Sequence, residues 1–181
     1  MKVAARLFVI VIFMAVVISG SMFIKVKAES NGLTLQQIEQ VRSNCVSIKN
    51  TINQLHVSDA LLRVNMGQRY ELVSTKLMDR FNGRIISNNL KADGLISASE
   101  KYKNNLNEFR DSYKIYEESL SSAMRMDCQS QPSELYDVLM IVRDNRSRVY
   151  GNVKLLVKQI DQYRSEVDRF ETTFKAGQGQ L

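Results

Sequence analysis

The stretch that decides the fold covers residues 121–134, SSAMRMDCQSQPSE, and it holds Cys128 and the chain's single proline. Pro132 followed by Ser133 and Glu134 is typical of a first helical turn, because that turn does not use the amide hydrogen that proline lacks. The polar residues just before Pro132 interrupt the helical pattern that leads up to Cys128. The stretch therefore predicts a turn between two helices, with a cysteine beside it.

Apolar residues on both sides of this turn recur every three or four positions, which is the spacing of one helix face. A third stretch, nearer the N-terminus, has the same spacing. It begins at Thr34, where Gln37 three residues later completes a capping-box pattern. The three stripes include Ile38, Val41, Cys45, Ile48, Ile52, Leu55, Leu62, Met66, Tyr70, Val73, Leu77 and Phe81; Leu95, Tyr102, Leu106, Phe109, Tyr113, Tyr116 and Leu120; and Leu135, Leu139, Val142, Val149, Val153, Leu156, Ile160 and Tyr163.

These stripes predict helices over about residues 34–82, 95–127 and 133–175. Each helix is apolar on one side and must bury that side against the others. The two connections are short, so consecutive helices are expected to run antiparallel. We expect an all-α fold, in which residues 29–181 form an elongated antiparallel three-helix coiled-coil bundle.

Residues 1–28, MKVAARLFVIVIFMAVVISGSMFIKVKA, have the pattern of an export signal. Two basic residues precede the apolar run, and Val26 and Ala28 suit the positions just before a cleavage site. The alternative is an uncleaved signal anchor over residues 7–24, a length that spans a bilayer at about 1.5 Å per residue. Both alternatives predict that residues 29–181 are extracytoplasmic, either secreted or tethered to the membrane by the N-terminal segment.

The two cysteines predict a disulfide between Cys45 and Cys128, because exported proteins fold in oxidising compartments. That bond would set the first two helices in a register that places Asp59 level with Tyr113. The turn at Pro132 then brings Arg146 to the same level. Asp59 and Arg146 are the charges that interrupt the first and third stripes, and such charges are costly to bury unless they are paired. The sequence therefore predicts a buried polar layer of Asp59, Tyr113 and Arg146.

The composition and motifs argue against several function classes. The formal net charge is +6, but four of the basic residues and no acidic residue lie in residues 1–28, so the rest carries only +2. This near-neutral body gives no support for nucleic-acid binding. His56 is the only histidine, whereas metal sites in helical bundles use several ligands of that kind. We expect no enzyme activity, no catalytic residue, no cofactor and no metal site.

The connection between the first two helices is the candidate contact tip of the bundle. Its apolar residues Ile85, Ile86 and Leu90 stand among glycines and asparagines, as residues that contact a partner would. The alternative is that these three side chains cap the bundle by packing on Phe170 and Phe174.

Two functions fit this pattern. The first is an exported, non-enzymatic helical scaffold or protein-interaction module of the cell envelope or secreted fraction. The alternative is a chaperone-like or sensor-type extracytoplasmic module that binds a ligand or an unfolded chain. Stripes buried entirely inside the fold favour the first function, and an exposed apolar groove favours the second. The partner and the oligomeric state are open in both cases, and residues 7–24 offer a route to membrane contact.

Overall fold

The computed structural model describes residues 32–178, and the regular elements in that range are all helical, without a β-strand. They are α1 (Leu35–Ser43), α2 (Cys45–Leu72), a π-helical segment (Val73–Met78), α3 (Asp79–Ser87), α4 (Asp93–Arg125) and α5 (Pro132–Gln178). The predicted signal peptide or anchor, residues 1–28, lies outside the described residues. No helix between residues 32 and 178 has the length and apolarity needed to cross a bilayer.

The first helical stretch begins with the capping box that the sequence contains. The Thr34 hydroxyl accepts a hydrogen bond from the Gln37 amide at 3.3 Å, and the Gln37 side chain accepts one from the Thr34 amide at 2.9 Å. Asn44 separates α1 from α2 with a non-helical backbone. The stretch continues through the π-helical segment to Ser87, beyond the predicted end near residue 82, and Asn89 follows with a left-handed φ of 54°.

The π-helical segment rotates the buried face of this stretch. The Asp79 amide donates to the Ser74 carbonyl, five residues earlier, so the turn contains one residue more than an α-helical turn. The sequence predicts Leu77 on the buried stripe, but Leu77 is 62% exposed and Met78 is 1% exposed. The extra residue therefore moves the buried positions one residue along the chain.

Helix α4 supplies buried residues to two apolar clusters. Every predicted stripe position on α4 from Leu95 to Leu120 is buried. One cluster includes Tyr70, Met78, Ile85, Tyr102, Leu106 and Leu156. The other includes Ile52, Tyr116, Leu120, Cys128, Leu135 and Val142. Because both clusters use α4, this helix lies at the centre of the helical packing of residues 33–178.

The closest helix pair is α4 with α5. Asn145 on α5 donates to the Ser119 hydroxyl at 3.2 Å, and Asn152 donates to the Ser112 hydroxyl at 2.7 Å. Helix α2 also packs on α4, where the Tyr102 hydroxyl donates to the backbone carbonyl at the end of α2. The middle of α2 does not close against α5, and this leaves an open groove.

Candidate binding groove and its charged cluster

The groove between α2, α4 and α5 has a volume of about 710 Å³. Its lining includes Leu62 and Met66 from α2, Phe109 and Tyr113 from α4, and Val149 and Val153 from α5. Leu62 is on the predicted stripe of the first helix, yet it is 57% exposed. The prediction that this position is buried is therefore wrong, and the reason is that α5 does not cover it.

A charged cluster lies at the groove and consists of Asp59, Tyr116 and Arg146, here called the Asp59 cluster. The Tyr116 hydroxyl donates to Asp59 Oδ2 at 2.7 Å. Arg146 Nε donates to the same oxygen at 2.9 Å, and the Arg146 Nη2 donates to Asp59 Oδ1 at 3.2 Å. The contact with both carboxylate oxygens is the two-pronged geometry that arginine forms best. The two charges that the sequence places in one layer thus lie in direct contact.

The tyrosine of this cluster differs from the predicted one. The sequence places Tyr113 between the two charges, whereas in the structure the hydroxyl on Asp59 belongs to Tyr116. Tyr113 lies beside it, with its ring centroid 6.0 Å from that of Tyr116, and it faces the groove under Arg63. The two residues are three apart on α4, and the packing of α2 decides which of them reaches Asp59.

The burial of the pair is also unequal. The side chain of Asp59 is 11% exposed, but that of Arg146 is 53% exposed. The sequence predicts a charge pair that is buried on both sides. The prediction is wrong for Arg146, because the opening of the groove lets water reach the guanidinium while the carboxylate of Asp59 stays against α4.

The pKa of Asp59 reflects two opposed influences. Burial alone would raise this pKa, since it disfavours the ionised form. The hydrogen bonds from Arg146 and Tyr116, together with the arginine's charge, outweigh burial and hold the pKa of Asp59 below its ordinary value. Burial first, and then the bond to the carboxylate, raise the pKa of the Tyr116 phenol. At neutral pH the cluster therefore contains a carboxylate, a guanidinium and a neutral phenol.

Two further arginines line the groove and were not among the predicted site residues. The Arg63 guanidinium carbon lies 5.0 Å from the centroid of the Tyr113 ring, which is a cation–π distance. Arg143 lines the groove from α5. Within residues 32–178, neither arginine forms an ion pair with a carboxylate. One sequence signal could have indicated Arg63, because it lies four residues after Asp59 on the same helix face.

The two cysteines lie at disulfide distance at one end of the helices, with a Cα–Cα distance of 5.6 Å. They also belong to a cluster of candidate metal ligands with Asp127. Their sulfurs are paired with each other, so neither is a free thiolate that could bind a metal. Lys49 lies nearby and donates to the Met124 carbonyl at 2.7 Å and to the Met126 carbonyl. The lysine thus caps the C-terminal end of α4.

The predicted contact tip divides into buried and exposed residues. Ile85 is buried in the apolar cluster that Phe81 and Phe170 adjoin, so it is not available to a partner. Ile86 and Leu90 are exposed. Ile85 therefore packs inside the fold, in agreement with the alternative that it caps the bundle, because α3 continues past residue 82 and directs that side chain inward. Contact of Ile86 and Leu90 with a partner stays a prediction.

Comparisons of the chain with protein-family models, with curated proteins and with solved structures find no match. The geometry of the groove and the sequence pattern are therefore the grounds for a functional proposal.

Proposed function

We propose that the protein is an exported, non-enzymatic helical module that binds a ligand in the groove between α2, α4 and α5. The observation that carries this proposal is an open, mostly apolar groove of about 710 Å³ with a few charged residues among its lining. This volume lies within the range of about 300–1,000 Å³ that is typical of small-molecule sites. Of the two functions considered from the sequence, the ligand-binding one is favoured by such an exposed groove.

The absence of enzyme activity is part of the proposal. A general acid or base works best when its pKa lies near the working pH. In the Asp59 cluster the pKa of the carboxyl is lowered and that of the Tyr116 phenol is raised, so both move away from neutrality. These side chains also satisfy one another's hydrogen bonds, which suits a structural role.

The proposed architecture is an antiparallel three-helix coiled-coil bundle that stands outside the cytoplasm. It is supported by the side-chain contacts of α4 with both α2 and α5, and by the apolar spacing of the three stripes. Export is supported by the pattern of residues 1–28 and by the paired cysteines, since disulfides persist in oxidising compartments. Mass spectrometry of the intact protein tests it: an N-terminus at Glu29 indicates cleavage, and an intact Met1 indicates an anchor.

The binding proposal is tested with an uncharged fluorescent probe, N-phenyl-1-naphthylamine, titrated into the purified protein. We expect saturable binding to the wild type. Leu62→Gln should weaken binding about tenfold, because it removes an apolar contact from the groove. Leu61→Gln is the matched control. Leu61 directly precedes Leu62 and is similarly exposed, but it does not line the groove. Equal loss in both variants, or no binding at all, would contradict the proposal.

A second candidate function is a protein-interaction module that uses the outer face of α2. Val57, Leu61 and Val64 are exposed there at coiled-coil spacing. This candidate predicts the opposite result for the same pair of variants. A partner captured from the cell envelope fraction would be lost on Leu61→Gln and retained on Leu62→Gln.

A further inference from the structure

We propose that the ligand of the groove is a small amphiphile, with an apolar body and one anionic group that Arg63 and Arg143 bind. This inference rests on the proposed binding function and adds the chemical class of the ligand. It is supported by the charges of the groove, the position of Arg63 and the mostly apolar remainder of the lining.

The charges that line the groove do not balance. The groove has one carboxylate, that of Asp59, and three guanidinium groups, those of Arg63, Arg143 and Arg146. Asp59 and Arg146 neutralise each other through two hydrogen bonds. Arg63 and Arg143 then leave two positive charges without a carboxylate partner among residues 32–178. An anionic group on the ligand would supply that partner, whereas a cationic group would be repelled.

Arg63 is also placed so that it can receive such a group. Its guanidinium carbon lies over the ring of Tyr113, 5.0 Å from the ring centroid, in a cation–π contact. The edge of the guanidinium that points away from the ring keeps its N–H groups free to donate. A carboxylate or a phosphate accepts two parallel hydrogen bonds from this edge. The aromatic contact therefore orders the arginine at the groove before a ligand arrives.

The remainder of the lining selects a compact apolar body rather than an extended peptide. A peptide strand brings a row of amide and carbonyl groups that require partners when they are buried. In the groove, the polar groups of Asp59, Tyr116 and Arg146 are already bonded to one another. The other residues facing the ligand are chiefly Leu, Met, Val and aromatic side chains. An alkyl chain or a ring system needs no hydrogen-bond partner there.

The experiment displaces N-phenyl-1-naphthylamine from the full-length exported protein with three ligands that share one alkyl chain: decanoate, decanol and decyltrimethylammonium. We expect decanoate to bind about tenfold more tightly than decanol, the gain typical of a charge-assisted hydrogen bond. Decyltrimethylammonium should bind most weakly. Equal affinity for decanoate and decanol would overturn the anionic class while leaving the groove as a binding site, because decanol would still displace the probe.

Two substitutions assign the effect to the arginines. Arg63→Gln and Arg143→Gln should each remove most of the preference for decanoate over decanol, measured as the ratio of the two affinities in the same variant. Arg69→Gln and Arg148→Gln are the matched controls, because they are exposed arginines on α2 and α5 that do not line the groove. A preference for decanoate that survives both groove substitutions, or that the controls remove equally, would overturn the proposal. Failure of the uncharged probe to bind the wild type would overturn the binding function itself.

Discussion

At the residue scale, the unequal burial of Asp59 and Arg146 determines which side of the ion pair is sensitive to substitution. Asp59 is almost inaccessible and depends on Arg146 and Tyr116 for its hydrogen bonds. Arg146 is more than half exposed and can be hydrated when its partner is removed. A buried group without a partner carries its full desolvation cost, while an exposed one does not. The carboxylate is therefore the side that cannot tolerate the loss of its partner.

We predict that Arg146→Leu lowers the free energy of unfolding by about 1–3 kcal/mol, because it leaves the buried carboxylate without its main donor. Asp59→Leu should cost less, since it releases an arginine that water can reach. The double variant should recover part of the loss seen in Arg146→Leu. Urea unfolding of the four proteins measures the coupling free energy. Strictly additive losses would show that the two residues do not stabilise each other.

Because the pKa of Asp59 is lowered in the folded chain, we predict that its contribution to the free energy of unfolding is lost in acid. The unfolded chain binds the proton more readily than the folded one, so stability rises with pH in this range. The contribution of Asp59 is fully present above its ordinary pKa of 3.8 and is lost as the pH falls through the folded-state value. The free-energy difference between the wild type and Asp59→Asn should therefore shrink in acid.

The control for this pH series is Arg146→Leu. Without the arginine, burial is the larger influence on Asp59, and the pKa of the carboxyl should rise above its ordinary value. The pH dependence that Asp59 contributes should then change sign. Urea unfolding at a series of pH values measures both cases. A difference between the wild type and Asp59→Asn that does not vary with pH would contradict the assignment.

At the element scale, the π-helical segment Val73–Met78 connects two parts of one helix that bury different residues. Its extra residue lets Tyr70 before it and Met78 after it both face the apolar cluster of α4. In a continuous α-helix, the residue two turns after Tyr70 on the same face is Leu77. Such a helix would therefore bury Leu77 in place of Met78. The segment therefore corrects the register between α2 and α3.

We predict that deletion of Thr75, an exposed residue of this segment, changes the free energy of unfolding by less than about 1 kcal/mol. The deletion would convert the π-helical turn into an α-helical one and keep the faces of α2 and α3 aligned. Deletion of Asn65, an exposed residue of α2, is the matched control. It would rotate the helix before it by about 100°, the angle between neighbouring residues, and so should unfold the chain or weaken it severely. Circular dichroism with thermal unfolding compares the two, and equal damage would contradict the prediction.

At the scale of the whole described part of the chain, α1 and the start of α2 are held to the rest by few contacts. None of residues 35–51 is buried. Val41 and Ile48 pack, partly buried, against an apolar cluster. The other attachments are the paired cysteines, the Lys49 bonds to the end of α4, and a reciprocal pair in which Arg42 and Gln129 each donate to the other's backbone carbonyl. With so little apolar burial, the covalent link has a large share in holding this end in place.

We predict that reduction of the Cys45–Cys128 pair lowers the free energy of unfolding by about 4.5 kcal/mol on the chain-entropy model. The pair encloses a loop with a sequence separation of 83 residues, and the unlinked chain gains the entropy of that loop. Urea unfolding with and without reductant measures the change, and Cys45→Ser should reproduce it. Hydrogen exchange should show that residues 35–50 lose protection first, while the buried part of α4 keeps it. Uniform loss along the chain would contradict the local role.

Much of the helical structure followed from periodicity and capping. The Thr34 and Gln37 pattern marks the start of α1, and the stripe from Leu95 to Leu120 identifies the buried face of α4. These features depend on neighbours within one or two turns, so a single sequence contains them. The pairing of Asp59 with Arg146 was also accessible, because a charge within an apolar stripe needs a partner and the chain offers few.

The tertiary structure alone decided the features that depend on how far apart the helices lie. Because α2 and α5 lie apart, Leu62 is exposed and water reaches Arg146. The same opening leaves room for the Arg63 side chain over the ring of Tyr113. Periodicity reports which face of a helix is apolar, but it contains no distance between that face and the next helix. In the same way, the π-helical turn and the choice of Tyr116 over Tyr113 follow from packing. The groove is the product of such distances, and for that reason it became visible only in the folded chain.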